Sequence, residues 1–118
     1  MKYVCLVYGE EGQLHALTTG EMAKLDADSL AYDRSLETSG HLIVAQALQS
    51  VKTSKSVRRR KGKKLITDGP FAETKEQLLG FVMIEADSLD TALGIAADIP
   101  LAELGTIEVR AIYSVPGS

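Results

Sequence analysis

Thr67-Asp68-Gly69-Pro70-Phe71-Ala72-Glu73-Thr74-Lys75-Glu76 separates two apolar runs, and reading it as a turn fixes the plan of the chain. The run before it, Lys64-Leu65-Ile66-Thr67, predicts a short strand; the run after it, Phe81-Val82-Met83-Ile84-Glu85-Ala86, predicts a longer and almost wholly buried one. Proline removes a backbone donor and pushes the residue before it out of the helical region, so Gly69-Pro70 marks a bend. Asp68 is suited to accept backbone N–H groups two or three residues on, and Phe71 is expected to anchor the turn in a core. An ordered loop carrying an acid, an aromatic ring and Glu73-Thr74-Lys75-Glu76 is the first place to look for function.

Outward from this loop, a hairpin precedes it. Val51 to Arg60 and Lys63 to Thr67 form its arms, turning at Lys61-Gly62. His41 to Leu48 predicts a strand apolar on both sides, and Lys2 to Tyr8 another, closed by Gly9. Between these two, Glu10 to Thr19 is a connection with room for one helical turn. Thr18-x-x-Glu21 then fits a capping box, and Met22, Leu25, Ser29, Tyr32 and Leu36 recur at helical spacing, widened by Ala23, Leu30 and Ala31. Gly40 is a suitable C-terminal cap, which places the first long helix at about residues 19–39. On the other side of the loop, Gly80 to Ala86 is a strand. Asp87 or Ser88 caps a second helix to about Asp98, with Leu89, Leu93 and Ala96 facing inward and Pro100 stopping it. Thr106 to Tyr113 is the last strand, followed by a loose Pro116-Gly117-Ser118 tail.

Strand, helix, strand, hairpin, strand, helix, strand is an α+β, ferredoxin-like order (βαββαβ with an extra hairpin): an antiparallel sheet with both helices on one face. The whole of residues 1–118 reads as a single domain, without linker, repeat or low-complexity segment. Yet Phe81-Val82-Met83-Ile84 and Val4-Cys5-Leu6-Val7 are apolar on both faces. The face without helices would expose a patch on the order of several hundred Å², which soluble monomers rarely tolerate. A homodimer packed sheet to sheet is therefore expected.

Composition limits the function classes. The chain is 45% apolar and 25% charged with a net charge of −3, ordinary for a globular domain. No apolar run approaches the ~20 residues that cross a bilayer, so no membrane partner is expected. Met1-Lys2-Tyr3-Val4-Cys5 enters a strand pattern directly, without a leader, and Cys5 is the single cysteine, so the reading is cytoplasmic. Cys5, between Val4 and Leu6, reads as a small buried hydrophobe rather than a nucleophile. Arg58-Arg59-Arg60-Lys61-Gly62-Lys63-Lys64 holds six of the thirteen basic residues. It straddles a hairpin tip with no aromatic companion, so it reads as a solvated, aggregation-blocking edge, and nucleic acid is not an expected partner. Two distant histidines and one cysteine give no metal spacing, and no glycine-rich phosphate loop, G-x-S-x-G turn or dinucleotide fingerprint occurs; no cofactor is expected.

The string Asp68-Gly69-Pro70-Phe71-Ala72-Glu73-Thr74-Lys75-Glu76, followed by Gly80-Phe81 and by Ile84 through Asp90, resembles the YCII-related (DGPF) family of small bacterial proteins. Lys2 through Gly9, Ser39 through Leu42 and Thr106 through Arg110 extend the likeness over nearly the whole chain. The resemblance implies a dimeric α+β barrel. Related enzymes carry a histidine within the first helix, paired with an aspartate; here residues 21–38 hold no histidine, and the corresponding stretch offers Ser29 and Asp33 instead. The dyad does not carry over; Asp68, Gly69, Pro70 and Phe71 do.

These readings nominate Asp68 and His41 as candidate catalytic residues. A carboxylate at a strand end can act as a base or orient a partner, and histidine titrates near neutral pH. Tyr32, Phe71, Gly69 and Pro70 are candidate ligand contacts. For Asp68 the plainer role is to cap its own turn, and for His41 and His15 it is that of a partly exposed or surface polar group. The expected function is binding of a small polar or aromatic molecule beside the Asp68 loop, with proton-transfer chemistry of a lyase or isomerase kind. The alternatives are a non-catalytic binding or regulatory module, since family members are often encoded beside alternative sigma factors, and nucleic-acid binding by the basic hairpin.

Overall fold

A computed structural model describes residues 1–118. The chain runs β1 (Lys2–Gly9), α1 (Glu11–His15), α2 (Thr19–Thr38), β2 (Leu42–Ala47), a 3-10 turn (Val51–Thr53), β3 (Lys55–Arg60), β4 (Lys63–Asp68), β5 (Gln77–Glu85), α3 (Leu89–Ala97), a second 3-10 turn (Pro100–Glu103) and β6 (Thr106–Ala111). Four strands form an antiparallel sheet in the order β2-β5-β1-β6, the ferredoxin-like α+β plan; β3 and β4 form a separate two-stranded sheet.

Local chemistry sets the element ends. Thr18 and Glu21 close a reciprocal capping box, Thr18 N–H donating to the Glu21 carboxylate at 2.9 Å and Glu21 N–H to Thr18 Oγ at 3.1 Å. Ser88 accepts the Thr91 N–H at 3.1 Å and starts α3. Lys61 and Gly62 both take positive φ (51° and 76°), making the two-residue turn that matches strand twist. β5 begins at Gln77, three residues before the expected start at Gly80, because Gln77 and Leu78 still pair with Gly9 and Tyr8.

Register places both helices on one face. Tyr3, Cys5 and Val7 lie opposite Ile84, Val82 and Gly80, and this face carries the buried core with Leu36 of α2 and Ala92, Ile95 and Ala96 of α3. In α3 the inward stripe is Ala92-Ile95-Ala96, not Leu89-Leu93-Ala96. Leu89 and Leu93 point outward, because small alanines let the helix approach the sheet. In α2 the predicted Met22-Leu25-Ser29-Tyr32-Leu36 stripe faces inward, whereas Ala23, Leu30 and Ala31 are exposed. Val4, Leu6, Phe81 and Met83, on the other face, are half-buried by one another and carry no helix.

The hairpin projects as an arm. The molecule measures 47 × 45 × 19 Å with a radius of gyration of 16.3 Å, against about 13.5 Å for a compact chain of this length. Its accessible surface, 8321 Å², exceeds the roughly 6,200 Å² that scaling gives for this mass by about 2,000 Å². Val57, Leu65 and Ile66 on the arm and Phe71 at its root are all exposed. No helix is long and apolar enough to cross a membrane.

Candidate functional site

A cavity of about 590 Å³ opens between α2 and the β2–β5 half of the sheet. Its wall is mostly apolar: Met22, Leu25, Leu30 and Tyr32 from α2, Ala45 to Leu48 from β2 and the residue after it, Leu79 to Val82 from β5, and Ile99 to Leu101. Gly80 creates part of this space and also lets two strands approach. A Cβ there would stand 2.6 Å from the Gln46 carbonyl oxygen and 3.1 Å from Ala47 Cα.

Polar groups in the wall come mainly from one helix. Asp26, Ser29 and Asp33 stand at i, i+3 and i+7 on α2, so all face the cavity beside Tyr32. Neither aspartate forms an ion pair within the chain. Burial raises the Asp33 carboxyl above the ordinary aspartate value, since a half-desolvated carboxylate is disfavoured relative to its acid. The Tyr32 hydroxyl donates to the Ile95 carbonyl at 2.6 Å, tying α2 to α3. Burial, aided by the Asp98 charge, pushes the phenol up to about 12, so Tyr32 is a neutral donor and an aromatic wall rather than a base.

The remaining sequence-nominated residues lie elsewhere. Asp68 ends β4 at the root of the arm, and its carboxylate pairs with Lys55; the Asp68 side chain is 89% exposed. It does not cap its own turn. The bend is held instead by Gly69 N–H donating to the Ser54 carbonyl at 2.8 Å and Ser56 Oγ donating to the Gly69 carbonyl at 2.8 Å. Phe71 does not anchor a core: it is 81% exposed, at a bend tied to Ser54 and Ser56 at the root of the arm. None of Asp68, Gly69, Pro70 and Phe71 lines the cavity.

His41 sits in a shallow hollow with Asp87 and Thr91, at the far end of β5 from Gly80, roughly 17 Å along the strand. Its Nδ1 is 2.8 Å from the Glu85 carbonyl oxygen, which can only accept, so Nδ1–H is the donor of this bond. Cys5 is fully buried and its thiol is pushed up to about 11 by desolvation, as suits a core residue. No three of the His, Cys, Asp and Glu side chains are grouped to hold a metal ion.

Tyr32 is thus the one nominated ligand contact in the cavity wall. Asp26 and Asp33 escaped nomination, although the signal was present: two acids at helical spacing within a stripe otherwise set by Met22, Leu25 and Leu36.

Comparison with known proteins matches residues 1–116 to the YCII-related domain. The chain is also similar to an uncharacterised protein of Rhizobium meliloti (strain 1021), 38% identical over 121 residues, covering 99% of this chain and 97% of that protein. A match of this extent, on a ferredoxin-like α+β fold, makes the chain a member of the YCII-related domain family.

Proposed function

We propose that the protein is a homodimer that binds a small, largely apolar or aromatic molecule in the α2–sheet cavity, and that Asp33 exchanges a proton with that molecule's one polar group. The observation that carries the reading is Asp33 itself. It is a carboxyl without an ion-pair partner, raised by burial, in a wall of Met22, Leu25, Val82 and Leu101. A carboxyl whose charged form is disfavoured by burial holds a proton more readily than an exposed one and can return it, which is the requirement for general acid–base chemistry. An apolar pocket with a few converging polar groups is the common form of a small-molecule site. The dimer is supported by the helix-free apolar face of Val4, Leu6, Phe81 and Met83 and by the surface excess.

Ligand-observed NMR with a fragment library supplies the probe. A fragment that binds the parent should bind Asp33→Asn at least tenfold more weakly, while Tyr32→Phe retains it. Undiminished binding by a folded Asp33→Asn protein defeats the proposal. Phe81→Asp, on the opposite face, should shift sedimentation at micromolar concentration from twice the chain mass to the chain mass.

A further inference from the structure

The arm has no structural reason to stand free. An isolated two-stranded hairpin is marginal in water, and β3 and β4 pair essentially only with each other. Residues 55–68 carry seven basic side chains and one acidic; the rest of the chain carries six basic and fifteen acidic. The arm is thus a cationic lever on an anionic body, and the surface complementary to it belongs to this same sequence.

Register sorts the arm into two faces. Val57 lies opposite Ile66 and Arg59 opposite Lys64, so one face presents an apolar pair followed by two cations toward the tip. Val57 is 64% exposed and Ile66 56%. A matching surface exists at the cavity mouth. Leu30 and Leu48 line it while 58% and 48% exposed, and the exposed, unpaired Asp26 stands beside them. The mouth adjoins β2, the edge strand of the sheet, and a hairpin with six-residue strands reaches roughly 20 Å.

We propose that the arm of one copy lies across the cavity mouth of a second, setting Val57 and Ile66 on Leu30 and Leu48 and Arg59 and Lys64 against Asp26, so that each site is closed by its partner. This builds on the cavity reading above: it assigns Asp26 to the closure and leaves Asp33 inside, with bulk water excluded from it.

Cross-linking tests it without any ligand. Val57→Cys and Leu30→Cys chains of different mass, mixed and oxidised, should give a heterodimeric disulfide; Val57→Cys with Leu93→Cys, on the outer face of α3, should not. Arg59→Glu/Lys64→Glu should weaken dimerisation at least tenfold, and mixing it with Asp26→Lys should recover most of the loss. Equal cross-linking to Leu93, unchanged dimerisation in the arm variant, or binding of a DNA oligonucleotide abolished by that variant at unchanged mass would each overturn the proposal. Cross-links together with an Asp33→Asn protein that still binds fragments would sink the ligand reading alone. Asp33-dependent binding without cross-links would sink the arm alone.

Discussion

Glu11 fastens the root of the arm, and removing it should be felt well beyond α1. Its carboxylate accepts the Val51 N–H and the Ser50 hydroxyl, each at 2.7 Å, while its own N–H donates to Gln77 Oε1 at 3.0 Å. One residue thus joins β1's exit, the turn entering the arm and the first residue of β5. The Val51 N–H and then the Ser50 hydroxyl hold the Glu11 carboxyl below its ordinary value of 4.5. Hydrogen bonds to a charged acceptor are worth about 1.5–3 kcal/mol each when buried. Glu11 is only partly buried, so Glu11→Ala should cost about 2–3 kcal/mol for the pair, or roughly 8–12 °C in melting temperature for a chain of this size. Glu11→Gln keeps one acceptor oxygen and should cost about 1 kcal/mol.

The pH dependence has a definite sign. A carboxyl whose folded value is depressed contributes stability above its unfolded value, and that contribution is lost as pH falls through the folded one. The gap between parent and Glu11→Gln should therefore be full at pH 7 and shrink once pH drops below about 4.5. Melting curves at fixed protein concentration across this range, with hydrogen exchange at the Val51 amide, measure both effects. A Glu11→Ala protein melting within about 2 °C of the parent at pH 7 would refute the reasoning.

Gly80→Ala should destabilise by about 1–3 kcal/mol, because its Cβ must displace the Gln46 carbonyl 2.6 Å away; thermal melting reads it. Tyr32→Phe should cost about 1 kcal/mol, since the Ile95 carbonyl keeps the Asp98 N–H as a second donor at 3.2 Å, and chemical denaturation measures the loss. Asp68→Asn should stay within about 0.5 kcal/mol of the parent in the same assay, because its ion pair with Lys55 is exposed.

The element order was legible because local chemistry decided it. Thr18 and Glu21 at capping-box spacing, a turn at Lys61-Gly62 and Pro100 after α3 each act within a few residues. What failed depended on distant packing. Phe71 is a large apolar ring, and burial was the natural expectation, yet its bend is bonded to Ser54 and Ser56 at the root of the arm and leaves the ring exposed. In α3, Leu89-Leu93 and Ala92-Ile95-Ala96 are both apolar stripes; the inward one is chosen by how closely a helix can approach a sheet. Asp33 was legible only as an acid in the stretch where related enzymes carry a histidine; its place in a cavity wall depends on β2 and β5, which are distant in sequence.

A flat, expanded chain with eleven residues in its buried core and about 2,000 Å² of surface beyond the scaling value is what the homodimer proposed above would leave if folding were coupled to association. That excess is of the order each partner of an obligate dimer buries. If the folded unit is the dimer, mass action ties melting temperature to protein concentration. Unfolding 236 residues, twice the chain, at about 0.7 kcal/mol per residue gives an enthalpy near 165 kcal/mol per dimer. The midpoint should then rise by about 3 °C per tenfold concentration, or about 6 °C from 1 to 100 µM. Arg59→Glu/Lys64→Glu, which removes only the arm contact, should lower the midpoint at every concentration but keep the slope, because the sheet-to-sheet contact still couples folding to pairing. Phe81→Asp should flatten the slope and melt well below the parent, because a chain that no longer pairs loses the stabilising contact and melts independently of concentration. A parent whose midpoint is constant from 1 to 100 µM would show that the single chain holds itself together, exposed arm included.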